Sequence, residues 1–216
     1  MDTPADTPPG PRSRDAERSQ QAILDAASAE FAQHGLSGAR VDRIAEQAGL
    51  NKRLLYYYFG SKDDLFLAVL EASYARIRQA EQALHLQDMP PAQALRRLTE
   101  FTWDYYIAHP EFMTFLNSEN LHQGRHLAQS RKAQDVNSPL VETLGAILER
   151  GRLDGSFRGG IDPVQLYVSI AGMAYFYLSN RFTLSAIFAR DLMTPKARHE
   201  RLNHICDVVL GYVLRG

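Results

Sequence analysis

The chain has one cysteine and one tryptophan in 216 residues. A lone cysteine excludes an intrachain disulfide and a cysteine zinc site. Cys206 sits among Ile205, Val208 and Val209 and reads as a buried structural thiol. The sequence also lacks charge of one sign: 24 basic against 25 acidic residues leave −1, which excludes a general basic coat for nucleic acid and leaves only a local one. It lacks period-two alternation, Asn-Gly hairpins and internal repeats, so strands are not expected. No Ser-His-Asp or Cys-His arrangement, P-loop or dinucleotide fingerprint supports catalysis, and the chain reads as a non-enzyme without a cofactor. The longest apolar stretch, 164–189, carries a single charge, Arg181, but Gln165, Ser169, Ser179, Asn180, Thr183 and Ser185 make it a poor membrane span. Residues 1–14 are rich in Pro, Asp and Thr with no apolar run; they read as a disordered tail rather than a signal peptide. The expectation is a cytoplasmic protein with no membrane partner.

What is present is concentrated in residues 40–62. Val41, Ile44, Ala45 and Ala48 fall at i, i+3, i+4 and i+7, one helical face. Gly49 can end that helix, Leu50 can plug a turn, and Asn51 is a good N-cap for a second short helix. Two short helices across so tight a turn form the layout of a helix-turn-helix DNA reader. Lys52 and Arg53 open the second helix and Lys62 opens the next, against a dipole that disfavours cations there. An outside phosphate sharing the free N–H groups would explain them. The stretch holds five cations (Arg40, Arg43, Lys52, Arg53, Lys62) and two acids (Asp42, Glu46). The bland alternative is a solvated helical hairpin with incidental lysines.

The run Leu55-Tyr56-Tyr57-Tyr58-Phe59-Gly60-Ser61-Lys62-Asp63-Asp64-Leu65, preceded by Arg43-Ile44-Ala45-Glu46-Gln47-Ala48-Gly49-Leu50-Asn51-Lys52, resembles the signature of the TetR-type one-component transcriptional regulators. The first helix is similar too, with Ile23, Ala27 and Phe31 one turn apart and Gly35 at its end. The resemblance covers residues 17–70. It implies that Asn51, Lys52 and Arg53 face bases and phosphates and that Tyr56 and Tyr57 reach the DNA backbone or thymine methyls. Lys62 would pin a phosphate, and Arg40 and Arg43 would flank the groove. Tyr58 and Phe59 suit either contact or packing. Relatives often carry Gly-Thr where Arg53 and Leu54 stand; an arginine there can read guanine bidentately or take a phosphate.

Six prolines after the tail punctuate an all-α chain. Ser138-Pro139, Asp162-Pro163 and Thr194-Pro195 each pair an N-cap with proline at the first helical position. Asp162 with Gln165, and Ser61 with Asp64, make capping boxes. About nine helices are expected, near 16–34, 41–48, 52–58, 62–85, 91–108, 110–122, 139–154, 163–188 and 195–214. Residues 15–62 form the helix-turn-helix DNA-binding domain, and 63–216 a larger body for ligand binding and dimerisation. The helix near 163–188, apolar on all sides, needs a core on one side and a partner subunit on another. Leu202, Ile205, Val209 and Tyr212 give the last helix a packing stripe, so a homodimer through the last two helices is expected. The partners would be a pseudo-palindromic double-stranded DNA operator and a small-molecule effector that releases a repressor from it.

Candidate effector-pocket residues are Trp103, Tyr106, Phe112, Phe115, Asn117, Asn120, Tyr167, Tyr175, Tyr177 and Asn180, because aromatic walls with a few polar atoms make small-molecule sites. The same residues would also serve as ordinary core. The stretches 109–112 and 120–127 resemble regulators of pyrimidine and aromatic-heterocycle breakdown, which implies a planar heterocycle or aromatic acid. Glu119, His122 and His126 have metal-ligand spacing, but Gly124 and Arg125 argue against it, and no metal is expected. Two rival readings are a carboxylate-bridged di-iron protein, which needs two E-x-x-H pairs where this chain has one, and a helical interaction module, which needs no basic helix-turn-helix.

Overall fold

A computed structural model describes the backbone of residues 11–215 and the side chains of 15–133, 135 and 139–215. The described residues form ten α-helices: α1 (Pro11–Gly38), α2 (Val41–Gln47), α3 (Lys52–Phe59), α4 (Lys62–Gln82), α5 (Pro91–Ala108), α6 (Pro110–Leu121), α7 (Arg131–Leu153), α8 (Pro163–Ser179), α9 (Arg181–Ile187) and α10 (Pro195–Val213). Short 3-10 turns stand at Leu86–Asp88 and Leu127–Gln129.

The capping chemistry acts largely where the sequence places it. Asn51 Oδ1 accepts the Leu54 N–H at 2.8 Å. Ser61 Oγ accepts the Asp64 N–H at 3.0 Å. Asp162 caps α8 through the Val164 N–H at 2.7 Å, and Thr194 caps α10 through the Ala197 N–H at 3.2 Å. Gly49, at φ 66°, lets the chain turn sharply after α2.

Three expectations need correction. Helix α1 already includes Pro11, so residues 11–14 are helical; the rest of the expected tail lies outside the described residues. Helix α7 begins at Arg131, because Ser130 Oγ caps it by accepting the Ala133 N–H at 3.0 Å; Pro139 lies inside the helix rather than at its start. The helix expected over 163–188 is two. Asn180 leaves helical geometry and its Nδ2 donates to the Phe176 carbonyl at 2.9 Å, which closes α8 before α9 starts.

The chain divides into two compact units, the first containing residues up to Leu70 with Thr114–Gln129, the second Glu71–Met113 with the chain from Ser130 onward. This differs from the expected division at residue 62. The first unit's core explains why: Ile23, Phe31, Ile44 and Leu55 are buried with Leu65, Phe66, Leu70 and Phe115, which come from α4 and α6. Phe31 and Phe66 meet edge to face at 5.2 Å. Burial of each such ring is worth about 1.5–3 kcal/mol. In the second unit α5 packs on α7, α8 and α10. Trp103, Leu98, Leu144, Ile170, Leu178, Ile205 and Val209 are buried there, as is Cys206, whose thiol is pushed up by burial. No described helix is long and apolar enough to cross a membrane.

Candidate nucleic-acid interface and body cavity

Helix α3 is anchored on one side and bare on the other. Leu55 is fully buried, and Tyr58 and Phe59 pack against the same core, which gives those two aromatics the packing role. Between them Tyr56 is 42% and Tyr57 78% exposed. Arg53, Lys52, Asn51 and Arg40 are also exposed. Five of these six side chains belong to α3 or its N-cap, so one short helix presents most of the expected contact set.

The eight expected DNA-facing residues divide by what already holds them. Arg43 turns inward: its Nε donates to Glu30 Oε1 at 2.8 Å and Oε2 at 3.0 Å, and its Nη2 to Glu30 and to the Gly38 carbonyl. Glu30 is buried, and the Arg43 guanidinium holds its carboxyl below the usual range, helped by the Arg40 N–H at 2.8 Å. Lys62 Nζ donates to the carbonyls of Leu36 at 2.9 Å and Ala39 at 3.2 Å, satisfying the end of α1. Arg43 and Lys62 are therefore struts within the unit rather than free cations. Lys52 is exposed but paired to Asp42 at 2.6 Å; that bond lowers the Asp42 carboxyl and raises the Lys52 ammonium. Asn51 is occupied as a cap, and Arg40, Arg53, Tyr56 and Tyr57 face solvent.

The Glu119 cluster is structural in geometry. Glu119 is buried, and its Oε1 accepts the N–H groups of His126 at 2.9 Å and Leu127 at 3.0 Å. Its Oε2 meets His126 Nδ1 at 2.5 Å. His122 Nδ1 instead meets the Ser118 carbonyl at 2.7 Å. Among the described residues no group of three acidic, His or Cys side chains is arranged for a metal ion.

The ten expected pocket residues are divided between the two units. Phe115 belongs to the first unit's core, and Asn117 and Asn120 are exposed on that unit, since the end of α6 folds there. In the second unit Tyr106 stacks on Phe112 at 6.0 Å, and burial pushes the Tyr106 hydroxyl well up. Trp103 lies 5.6 Å from Tyr177, whose hydroxyl donates to the Leu192 carbonyl at 2.8 Å. Asn180 ends α8, and Tyr175 is half-buried on the same helix.

A cavity of 220 Å³ opens elsewhere in that unit, lined by Arg78, Glu81, Gln82, Leu86, Gln87, Pro139, Leu140 and Thr143. None of the ten residues lines it, although Tyr167 accepts a hydrogen bond from Arg78 Nη2 at 3.0 Å. Sequence reasoning missed Arg78 and Glu81. The signal was there: Glu81 follows Ile77 at i+4 on the apolar stripe of α4, so it is a charge on the buried face.

A family model described as bacterial regulatory proteins, tetR family, matches residues 23–69, and one described as tetracyclin repressor-like, C-terminal domain, matches 91–209. The chain is 44% identical over 201 residues to the HTH-type transcriptional repressor NicS of Pseudomonas putida, covering 93% of this chain and 95% of that one. It is 30% identical over 201 residues to the HTH-type transcriptional regulator RutR of Escherichia coli, covering 93% of each. In fold it resembles the crystal structure of a TetR family transcription regulator from Marinobacter aquaeolei, at TM-score 0.67 and 20% identity over 95% of this chain and all of that one.

Proposed function

The chain belongs to the tetR family of bacterial regulatory proteins and is a DNA-binding transcriptional regulator, and from that premise we propose that it is a cytoplasmic repressor that binds a pseudo-palindromic operator as a homodimer and leaves it when a small molecule binds. The observation that carries this reading is the two-sided character of α3. Leu55, Tyr58 and Phe59 hold the helix to the core while Arg53, Tyr56 and Tyr57 face outward. A recognition helix needs that arrangement: a rigid mount, with side chains free to reach base edges and phosphates.

In this reading Arg40 and Lys52 take phosphates, Arg53 takes a base edge or phosphate, and Tyr56 and Tyr57 contact backbone or thymine methyls. Arg43 and Lys62 hold the mount. Two heads would read half-sites ~34–36 Å apart or at longer spacing. The second subunit would dock on α8 and α10, whose exposed Val164, Val168, Phe176, Val208 and Tyr212 leave more apolar surface bare than an isolated chain favours. Gly172 leaves open space on that face. An effector releases DNA only through its differential affinity for the free form; moving a population from 1:99 to 99:1 takes a ~10⁴-fold preference.

Selection of bound sequences from random duplex DNA tests the reading. Enrichment of a two-fold symmetric site supports it. No enrichment in dilute salt, or an asymmetric single half-site bound by a monomer, overturns it.

A further inference from the structure

Among the described α-helices, α9 alone buries none of its residues. Its composition does not suit that position. Phe182 is 74% and Ile187 73% exposed, and Phe188, which follows the helix, is 62% exposed. A helix of seven residues has too few internal bonds to stand alone and depends on packing. Within the chain it is tethered by polar groups. Arg181 Nη1 donates to the Leu178 carbonyl at 2.8 Å, and the Ser185 hydroxyl accepts the Leu192 N–H at 3.3 Å. The Tyr177 hydroxyl donates to the Leu192 carbonyl at 2.8 Å. The segment is thus held in place while its large apolar side chains stay in water.

We infer that α9 is a clasp that packs on a second copy of this chain. The inference rests on the homodimer reading above and extends it, because the face assigned there to α8 and α10 runs on into α9. Exposed Val164, Val168, Gly172 and Phe176 recur every four residues along α8 and carry its bare side to Asn180, where α9 begins. Phe182 follows two residues later. That continuity favours a second copy over any other occupant.

The area points the same way. Phe182, Ile187 and Phe188 leave on the order of 400 Å² bare, and a stable interface takes about 800 Å² from each partner. The large exposed side chains of α8 and α10 are each near half exposed and supply about as much again. Together the two sets reach what a stable dimer needs. Contiguous apolar surface of that extent is uncommon on a protein that stays single. A groove of 540 Å³ also lies against α9, with small Ser185, Ala186 and Ala189 along it and Arg181, Arg190 and Asp191 among its lining. Small residues let another helix approach closely, and charges beside an apolar strip resemble the rim of an interface. Two-fold symmetry makes the contact twice in each dimer.

Sedimentation equilibrium of the full chain, with Ile187→Glu beside Val168→Glu, tests this. Ile187 faces water in the single chain, so the substitution spares the subunit fold and puts a carboxylate where the second copy would cover it. The dimer dissociation constant should rise roughly tenfold or more. Ile187→Met should leave it nearly unchanged. On the wild-type protein, amide exchange over residues 182–188 should slow as concentration rises through the dimerisation range. Unchanged dimer strength for Ile187→Glu, or exchange there that ignores concentration, overturns the inference. A dimer broken by Val168→Glu and not by Ile187→Glu removes the clasp and leaves the α8–α10 docking. The opposite pattern keeps the clasp and removes that docking. A wild-type chain that is monomeric at every concentration overturns both.

Discussion

Glu30 and Arg43 are locked together in the N-terminal unit, with Arg43 Nε 2.8 Å from one carboxylate oxygen and 3.0 Å from the other. The same carboxylate takes the Arg40 N–H, so it fixes the turn between α1 and α2 at two points. Removing one partner leaves the other with unmet polar groups. Arg43→Ala should destabilise the protein by about 1–3 kcal/mol, because Glu30 then stays buried without its donor. Since the Glu30 carboxyl is held below its ordinary value, its contribution is present above that value and is lost as acid protonates it. Denaturant titrations at neutral and acidic pH read both effects; equal stability of Arg43→Ala and wild type at neutral pH would reject the strut.

Lys62 caps carbonyls of Leu36 and Ala39, and that task separates it from a simple phosphate contact. Lys62→Met should lower stability by about 1–2 kcal/mol and leave the salt slope of DNA binding nearly unchanged where the variant is fully folded. A slope reduced by about one with stability intact would assign Lys62 to phosphate instead.

Lys52 and Arg53 are exposed neighbours at the start of α3 and should respond differently. Lys52→Ala is expected to weaken binding to all sequences and reduce the salt slope by about one. Arg53→Ala should relax preference at one base position, at about 1–3 kcal/mol of discrimination. Binding to an operator library at several salt concentrations distinguishes the two; a uniform loss for Arg53→Ala would make it a phosphate contact.

Val168 is 57% exposed in the middle of the α8 face. Val168→Glu would place a charge where a second subunit is proposed to dock, at a penalty of several kcal/mol per subunit. Sedimentation should then show monomers, with operator affinity falling accordingly. A dimer of unchanged strength would move the interface elsewhere.

Burial pushes the Glu81 carboxyl from 4.5 up to about 7, against the opposing pull of Arg78. The folded protein therefore holds that proton more tightly than the unfolded chain does. Its effect favours folding at low pH and is progressively lost as pH rises from about 4.5 through about 7, on the order of 3 kcal/mol in all. Glu81→Gln, which does not titrate, should remove this slope. Unfolding midpoints of both proteins between pH 5 and 8 measure the difference; parallel profiles would show that Glu81 does not titrate in that window.

Helix α3 was legible because short-range chemistry builds it. Asn51 caps it, Gly49 turns into it, and Leu55 falls on the buried face, each through neighbours within a few residues. The cation roles were not legible. Arg43 meets Glu30 thirteen positions away, and Lys62 reaches Leu36 and Ala39 from 26 and 23 positions away, so charge at a helix start could not reveal that both were taken. The aromatic pocket candidates are ambiguous for a related reason. Tyrosine and phenylalanine fill cores as readily as they line sites, and Phe115 does the former. Glu81 was visible as a charge in an apolar stripe, but aromatic content drew the reading elsewhere. The start of α7 was misplaced because Ser138-Pro139 and Ser130 offer the same kind of start, and sequence gives no rank to two competing caps.

The pairing of Lys52 with Asp42 gives the foremost cation of the proposed DNA-facing surface a carboxylate neighbour before any phosphate arrives. A phosphate arriving there would share or compete for an ammonium that already has a carboxylate beside it, so the encounter would gain less than at a bare cation. Any duplex gains that reduced amount, and a sequence that adds base contacts gains more. In the proposed role, the protein carries on its own surface a rival to the phosphate.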